Sequence, residues 1–257
     1  MNDSLKGQVA LVTGGTKGIG KAIADKLSSS GAQVVVTARH APDDKASEHH
    51  FIAADLVQPD SAAIIAAKIL ETYGRIDIIV NNAGANLSPG GGFSTLSDEH
   101  WINDWQLNLL SAVRVNKALL PAMLAQQSGV IINISSGVAK QPIWEMTMSY
   151  SAAKAALNAY SKALASEVGA KGIRVNVVSP GVVKTLLMQE FIENIARSSA
   201  ISVDEAYQSV MAKVGVPLAR MAEPAEIANL VAFLVSSEAT YTTGAVYQVD
   251  GGSLATI

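Results

Sequence analysis

The chain of 257 residues contains no cysteine, which excludes disulfides, thiolate metal sites and cysteine nucleophiles together. It has no lysine or arginine cluster, and its formal net charge is −3, so it offers no electrostatic footprint for a polyanion. Nucleic acid is set aside as a partner. Charged residues are scarce at 16%, against 49% hydrophobic, so few charges cover the surface while there is material for a large core and a buried subunit interface. No apolar run approaches the roughly 20 residues a membrane span needs, and the opening run 1–7 lacks a charged-then-apolar signal. A soluble cytoplasmic protein with no membrane partner is the expectation. His40, His49, His50 and His100 do not form a ligand spacing, so no metal is expected. No repeat, linker or composition break divides the chain, which argues for one domain over 1–257.

What is present is a rhythm. Short β-rich runs at 8–13, 33–38, 50–54, 77–81, 130–135, 173–179 and 246–249 alternate with helical patterns at 18–30, 60–73, 98–126, 149–170 and 224–236. Seven strands with helices between them predict an α/β fold: a Rossmann-type, doubly wound, mostly parallel sheet with helices on both faces. Ligands then bind at the carboxyl ends of the strands. The stretch 186–214 interrupts the rhythm and reads as marginally helical, with Met188, Phe191, Ile192, Ile195 and Met211 as apolar anchors. It is read as a substrate lid in preference to a helical insertion packed on the rim, because insertions of this length are usually functional. The segment 86–95, with Pro89-Gly90-Gly91-Gly92, is either a mobile rim of the cleft or a plain surface loop.

Two motifs carry chemistry. Tyr150 and Lys154 stand four residues apart on a helical pattern, which puts a phenol and an ammonium on one face. There the cation can lower the phenol's pKa and let it donate a proton to a developing alkoxide. Earlier, Thr13-Gly14-Gly15-Thr16-Lys17-Gly18-Ile19-Gly20 follows an apolar strand and opens a helix. Glycines there let the backbone bend and let a pyrophosphate approach the amides and the helix dipole. Further along stand Asn81-Asn82-Ala83-Gly84, Asn108, Pro180-Gly181 with Thr185, and Val249-Asp250-Gly251-Gly252.

From about position 7 to 252 this ordered set resembles the short-chain dehydrogenase/reductase family. The resemblance implies that Tyr150 is the general acid and base, that Lys154 also holds the nicotinamide ribose, that Ser136 orients the substrate carbonyl, and that Asn108 supports a water leading to solvent. It implies cofactor contacts from Gly14, Thr16, Lys17, Gly18, Ile19 and Gly20 in the glycine turn. Asp55 and Leu56 would meet the adenine, Asn82, Ala83 and Gly84 the adenosine ribose, and Pro180, Gly181, Val183 and Thr185 the nicotinamide carboxamide. At the end of the second strand, where an acid commonly binds the NAD ribose, stand Ala38 and then Arg39. With Lys17, that favours a 2′-phosphate and hence NADP(H).

The gap from Ser136 to Tyr150 is slightly longer than the family's common spacing, so Ser135 and Ser149 stand as alternatives. Ser136 is favoured, because strand alternation turns Ser135 the other way. The lengthened wall and the lid offer Trp144, Met146, Leu187 and Phe191 to a substrate, with packing of a surface loop as the other reading of the wall. Methionines among such apolar walls suit a hydrophobic ketone, aldehyde or ketoester. A 3-oxoacyl-carrier-protein reductase ranks second, and an NAD-linked alcohol oxidation third. The reading from another class is a catalytically silent NADP-binding regulator. Relatives commonly form tetramers, and the small faces of Ala152, Ala153, Ala156 and Ala163 suit either close helix packing between subunits of a homotetramer or packing on the sheet within one chain.

Overall fold

The computed structural model describes residues 4–41 and 49–255. The first three positions of the run 1–7, and both ends of the 1–257 span, lie outside them. Seven strands form one sheet in the order β3-β2-β1-β4-β5-β6-β7. They are β1 (Val9–Thr13), β2 (Gln33–Ala38), β3 (His50–Ala53), β4 (Ile78–Asn81), β5 (Gly129–Ile134), β6 (Ile173–Pro180) and β7 (Val246–Val249). All six neighbouring pairs are parallel. The chain builds outward from β1 to β3, then returns beside β1 with β4 and builds the other way. That reversal opens a crevice at the carboxyl ends of β1 and β4.

Alternation along β1 explains the two-sided cover. Ala10 and Val12 face the layer of α1 (Gly18–Ser29) and α8 (Pro224–Val235), packing with Ile23, Leu27, Ile227 and Val231. Val9 and Leu11 face the layer of α2 (Ser61–Tyr73), α4 (Ser111–Gln126) and α5 (Trp144–Val168), packing with Ile65, Ile69, Leu119 and Leu164. Across this second layer runs a chain of buried amides and hydroxyls. Asn81 donates to Asn116 and Asn133 at 2.9 and 2.8 Å. Asn133 donates to Ser161 at 2.8 Å, and Asn116 to the Tyr160 hydroxyl at 3.2 Å.

Three elements differ from the expectation. The run 98–126 is helical throughout but not uniform: α3 (Asp98–Trp105) passes into a π-helical turn over Gln106–Leu110 before α4. The helix expected from 149 begins earlier, at Trp144, and is kinked at Thr147 (φ −138°, ψ 21°). Thr147 Oγ1 accepts from the Ile143 amide, donates to its carbonyl and meets the Ser151 hydroxyl at 2.9 Å. The kink lies three residues ahead of Tyr150. The stretch 186–214, read as marginally helical, is two well-capped helices, α6 (Leu186–Ser199) and α7 (Val203–Val214). Thr185 caps the first, and Ser202 with Glu205 forms a capping box on the second. Ile192, Ala196, Ala206 and Met211 join Met188 and Ile195 in a cluster of their own. Phe191, expected among these anchors, is outside that cluster.

Candidate active site

The glycine turn is shaped by what it cannot hold. A Cβ on Gly20 would lie 2.1 Å from the Gly14 carbonyl oxygen, and one on Gly15 would lie 2.6 Å from Val36 Cγ1. Gly14 (φ +62°) and Gly18 (φ +53°) adopt the left-handed conformation that favours glycine. Asn82 clamps the turn from β4: its Nδ2 donates to the carbonyls of Thr13 and Gly14 at 3.0 and 3.1 Å. The Thr13 hydroxyl accepts from the amides of Asn82 and Ala83, both at 3.0 Å. The two turns flanking the crevice are therefore one unit.

At the start of α1, Lys17 occupies the capping position in an extended conformation, makes no side-chain cap, and no acid follows in the first turn. The amides of Gly18, Ile19 and Gly20 thus open on the crevice without a side-chain acceptor, a setting that fits an anionic group. Lys17 and Arg39 are both exposed, Thr16 and Ile19 half-buried. Asp55 is half-buried and its carboxylate accepts from the Val57 amide at 3.2 Å, while Leu56 is buried. This donor set, with two cations and no carboxylate at Ala38, fits a phosphorylated dinucleotide.

The opposite wall comes from the end of β6. Gly181 packs so closely on Asp250 that a Cβ would lie 2.8 Å from Asp250 Cα. Asp250 in turn accepts from the amides of Gly252 and Leu254, both at 3.0 Å. Past Pro180, Val183 is buried and bridges to Ala222. Thr185 accepts from the Met188 amide at 3.2 Å, and its methyl stands 3.2 Å from where a Cβ of Gly18 would be. The 180–185 loop and the glycine turn face each other.

Between these walls four residues converge at the end of β5. Lys154 is buried, and its Nζ donates to the Ile134 carbonyl at 2.9 Å and stands 5.7 Å from the Tyr150 ring centroid. A Cβ on Gly84 would lie 2.8 Å from Asn108 Oδ1 and 2.9 Å from Lys154 Nζ, so only glycine lets the β4 turn reach both. Asn108 sits in the π-helical turn and exchanges hydrogen bonds with Ala85, donating to its carbonyl at 2.8 Å and accepting from its amide at 3.1 Å. Ser136 hydrogen-bonds Tyr150. Ser135 is buried and turned to the Lys154 carbonyl at 3.4 Å, and Ser149 is buried against Asp104, so neither alternative hydroxyl faces Tyr150 as Ser136 does.

The electrostatics differ from the expectation of a phenol depressed by its lysine. Burial pushes Tyr150 up to about 12, with the Ser136 hydrogen bond acting downward and the charge of Asp104 adding to the rise. Burial also pushes Lys154 down to about 8. Desolvation is the largest cause of both shifts.

Around the mouth, Trp144 and Leu187 are 60% and 62% exposed, Met146 and Phe191 half-buried. Trp144 lies over Gly92, whose Cβ would come 3.0 Å from its ring. The segment 86–95 is tied down: Asn86 donates to the Met146 carbonyl at 2.8 Å, and the Gly91 amide to the Glu145 carbonyl at 2.8 Å. Sequence reasoning missed Asp104, which is fully buried beside Tyr150. Its signal was a carboxylate one helical turn before Asn108.

The family described as Enoyl-(Acyl carrier protein) reductase matches residues 14–253. The 3-oxoacyl-[acyl-carrier-protein] reductase of Haemophilus influenzae is 37% identical over 254 residues, covering 96% of this chain and 98% of its own. Oxidoreductase UcpA of Escherichia coli O157:H7 is 36% identical over 257 residues, covering 97% and 95%. The structure of L-sorbose reductase from Gluconobacter frateurii, complexed with NADPH and L-sorbose, superposes with a TM-score of 0.91 at 34% identity over 100% of both chains. With this sheet order and this crevice, the chain belongs to the short-chain dehydrogenase/reductase family of oxidoreductases.

Proposed function

We propose that the protein interconverts a carbonyl and an alcohol with NADP(H), and that Tyr150 is its acid and base. The observation that carries this reading is the convergence of Ser136, Tyr150, Lys154 and Asn108 beside Gly84, opposite an uncapped helix start flanked by Lys17 and Arg39. The amides of the glycine turn hold the pyrophosphate, and Lys17 and Arg39 hold the 2′-phosphate. Asp55 and Leu56 meet the adenine, Asn82 to Gly84 the adenosine ribose, and Pro180, Gly181, Val183 and Thr185 the carboxamide. The bound cofactor supplies the hydride; the protein supplies position and charge.

Ser136 orients the carbonyl oxygen with its hydroxyl. A phenol pushed up to about 12 stays protonated at neutral pH, so Tyr150 is loaded to donate to the alkoxide oxygen. Lys154, falling to about 8, is mostly cationic at pH 7 and stabilises the phenolate as the proton leaves. Asn108 holds the Ala85 backbone and supports a water through which Tyr150 and Lys154 are reprotonated.

The substrate is a hydrophobic ketone, aldehyde or ketoester, which the exposed Leu87, Trp144, Leu186 and Leu187 at the cleft mouth favour. Helices α6 and α7 act as the lid, supported by their separate cluster and by an ion pair of 3.5 Å between Lys213 and Glu145. A 3-oxoacyl thioester on a carrier protein is the second substrate reading, favoured by the full-length likeness to reductases of that name. A silent binder would have no need of the Tyr150/Lys154 pair. The chain assembles as a homotetramer, for which light scattering giving a monomer mass at micromolar concentration is the refuting result.

The test is initial rates of NADPH and NADH consumption over aryl ketones, ketoesters, 3-oxoacyl thioesters and sugars. We expect NADPH to be preferred and Tyr150→Phe to lower kcat roughly 10²- to 10⁴-fold. A variant as active as the parent would remove Tyr150 from the chemistry, and a large preference for the sugar would remove the hydrophobic reading.

A further inference from the structure

Asp104 is the one fully buried carboxylate beside the converging residues, and it faces no lysine or arginine among its hydrogen-bond partners in the described residues. Its Oδ1 accepts from the Leu87 amide at 3.0 Å. Its Oδ2 accepts from the Ser88 hydroxyl at 2.6 Å and from the Ser149 hydroxyl, and those two hydroxyls lie 2.9 Å apart. The carbonyl of the same residue accepts from Asn108 Nδ2 at 3.0 Å. One residue of α3 thus gathers the rim at 87–88 and the residue preceding Tyr150 through its side chain, and Asn108 through its backbone carbonyl. A buried carboxylate is costly unless its lone pairs are met, and three donors from two other segments meet them here. An apolar side chain in its place would leave the Leu87 amide and the two serine hydroxyls without this acceptor.

We propose that Asp104 is a positioning residue for Tyr150: through Ser149 it fixes the start of the tyrosine-bearing turn, and through Ser88 and Leu87 it fixes the rim that closes over it. The inference rests on the proposed role of Tyr150. Its second effect is electrostatic. The charged groups facing the phenol are Lys154 from its own helix and Asp104 from α3, with the neutral Ser136 from the end of β5. Burial is the larger cause that keeps the phenol in its acid form, and the carboxylate, which opposes the phenolate, adds to it.

Two variants separate the effects. In Asp104→Asn the amide oxygen keeps the Leu87 contact and the NH₂ group donates to the serine oxygens, so shape is retained and charge removed. In Ser149→Ala the charge is retained and the tie to α5 is cut. Read in the direction of alcohol oxidation, the ascending limb of the kcat–pH profile should move to lower pH by about one unit in Asp104→Asn. In Ser149→Ala the limb should stay in place while kcat falls roughly tenfold, with KM for the cofactor unchanged. A limb that coincides with the parent's in an Asp104→Asn protein of parental melting temperature overturns the electrostatic half. Ser149→Ala with kcat within about twofold of the parent overturns the positioning half, and does so even where Asp104→Asn fails to fold. Tyr150→Phe run alongside tells the two levels apart. If it is inactive while both variants behave as the parent, Asp104 is merely structural; if it is active, the reading of Tyr150 itself has failed.

Discussion

At the scale of single residues, the proposed choice of cofactor rests on two exposed cations. Lys17 stands at the start of α1 and Arg39 just past the end of β2, where a carboxylate would otherwise bind ribose hydroxyls. Because a charge-assisted hydrogen bond to phosphate contributes about 1.5–3 kcal/mol, Arg39→Ala should lower the NADPH-over-NADH ratio of kcat/KM roughly tenfold or more. Steady-state kinetics with both cofactors reads this directly, and an unchanged ratio would assign the preference elsewhere. Arg39, Lys17, Tyr150 and Lys154 could be singled out in the sequence because each stands within a few residues of a turn or along one helix face. Asp104 was not. Its meaning depends on Ser88 and Ser149, 16 and 45 residues away, and no periodicity reports which distant hydroxyls will meet a buried carboxylate.

At the scale of elements, the short capped helices are where stability and binding meet. Thr185 both caps α6 and sets its methyl against the glycine turn, so Thr185→Ala should cost about 1 kcal/mol of helix stability and loosen the cofactor wall. The expected outcome is a raised KM for NADPH with a smaller change in kcat, whereas a fall in kcat alone would point to α6 itself. The strands and long helices were readable because burial on both faces of a parallel sheet leaves unbroken apolar runs. The π-helical turn was not readable, since Gln106–Leu110 carries the same apolar spacing as the α-helix around it. Nor was the kink at Thr147, where the hydroxyl meets the Ile143 backbone and the Ser151 hydroxyl. Met188, Ile192, Ile195 and Met211 anchor α6 and α7 as their spacing predicts, while Phe191 stands outside the cluster, because a lone helix pattern does not say which side faces a cleft.

At the scale of the whole molecule, two titrating groups, the buried Lys154 and the half-buried Tyr150, tie stability to pH. Unfolded, Lys154 holds its proton to its ordinary value of 10.5; folded, it releases it near 8. Between those values the unfolded chain binds more protons, so Lys154's contribution to stability grows as pH rises. Tyr150 acts oppositely from its ordinary 10 up to about 12, where the folded protein holds the extra proton and stability falls with pH. Denaturant midpoints should therefore climb between pH 8 and 10 in the parent relative to Lys154→Met, then decline above pH 10 relative to Tyr150→Phe. Parallel curves in the lower window would mean that Lys154 titrates alike in both states.

The buried amides of the second layer have a consequence of another kind. Leucines and valines slide past one another with little penalty, and a purely oily seam between β5 and α5 would accept the helix a turn higher or lower. Asn133 on Ser161, and Asn81 and Asn116 with Tyr160, accept one setting only, as a key accepts one lock. Ser161 lies two turns beyond Lys154 on the same helix, so the tooth that engages there sets how far the ammonium reaches toward Ile134.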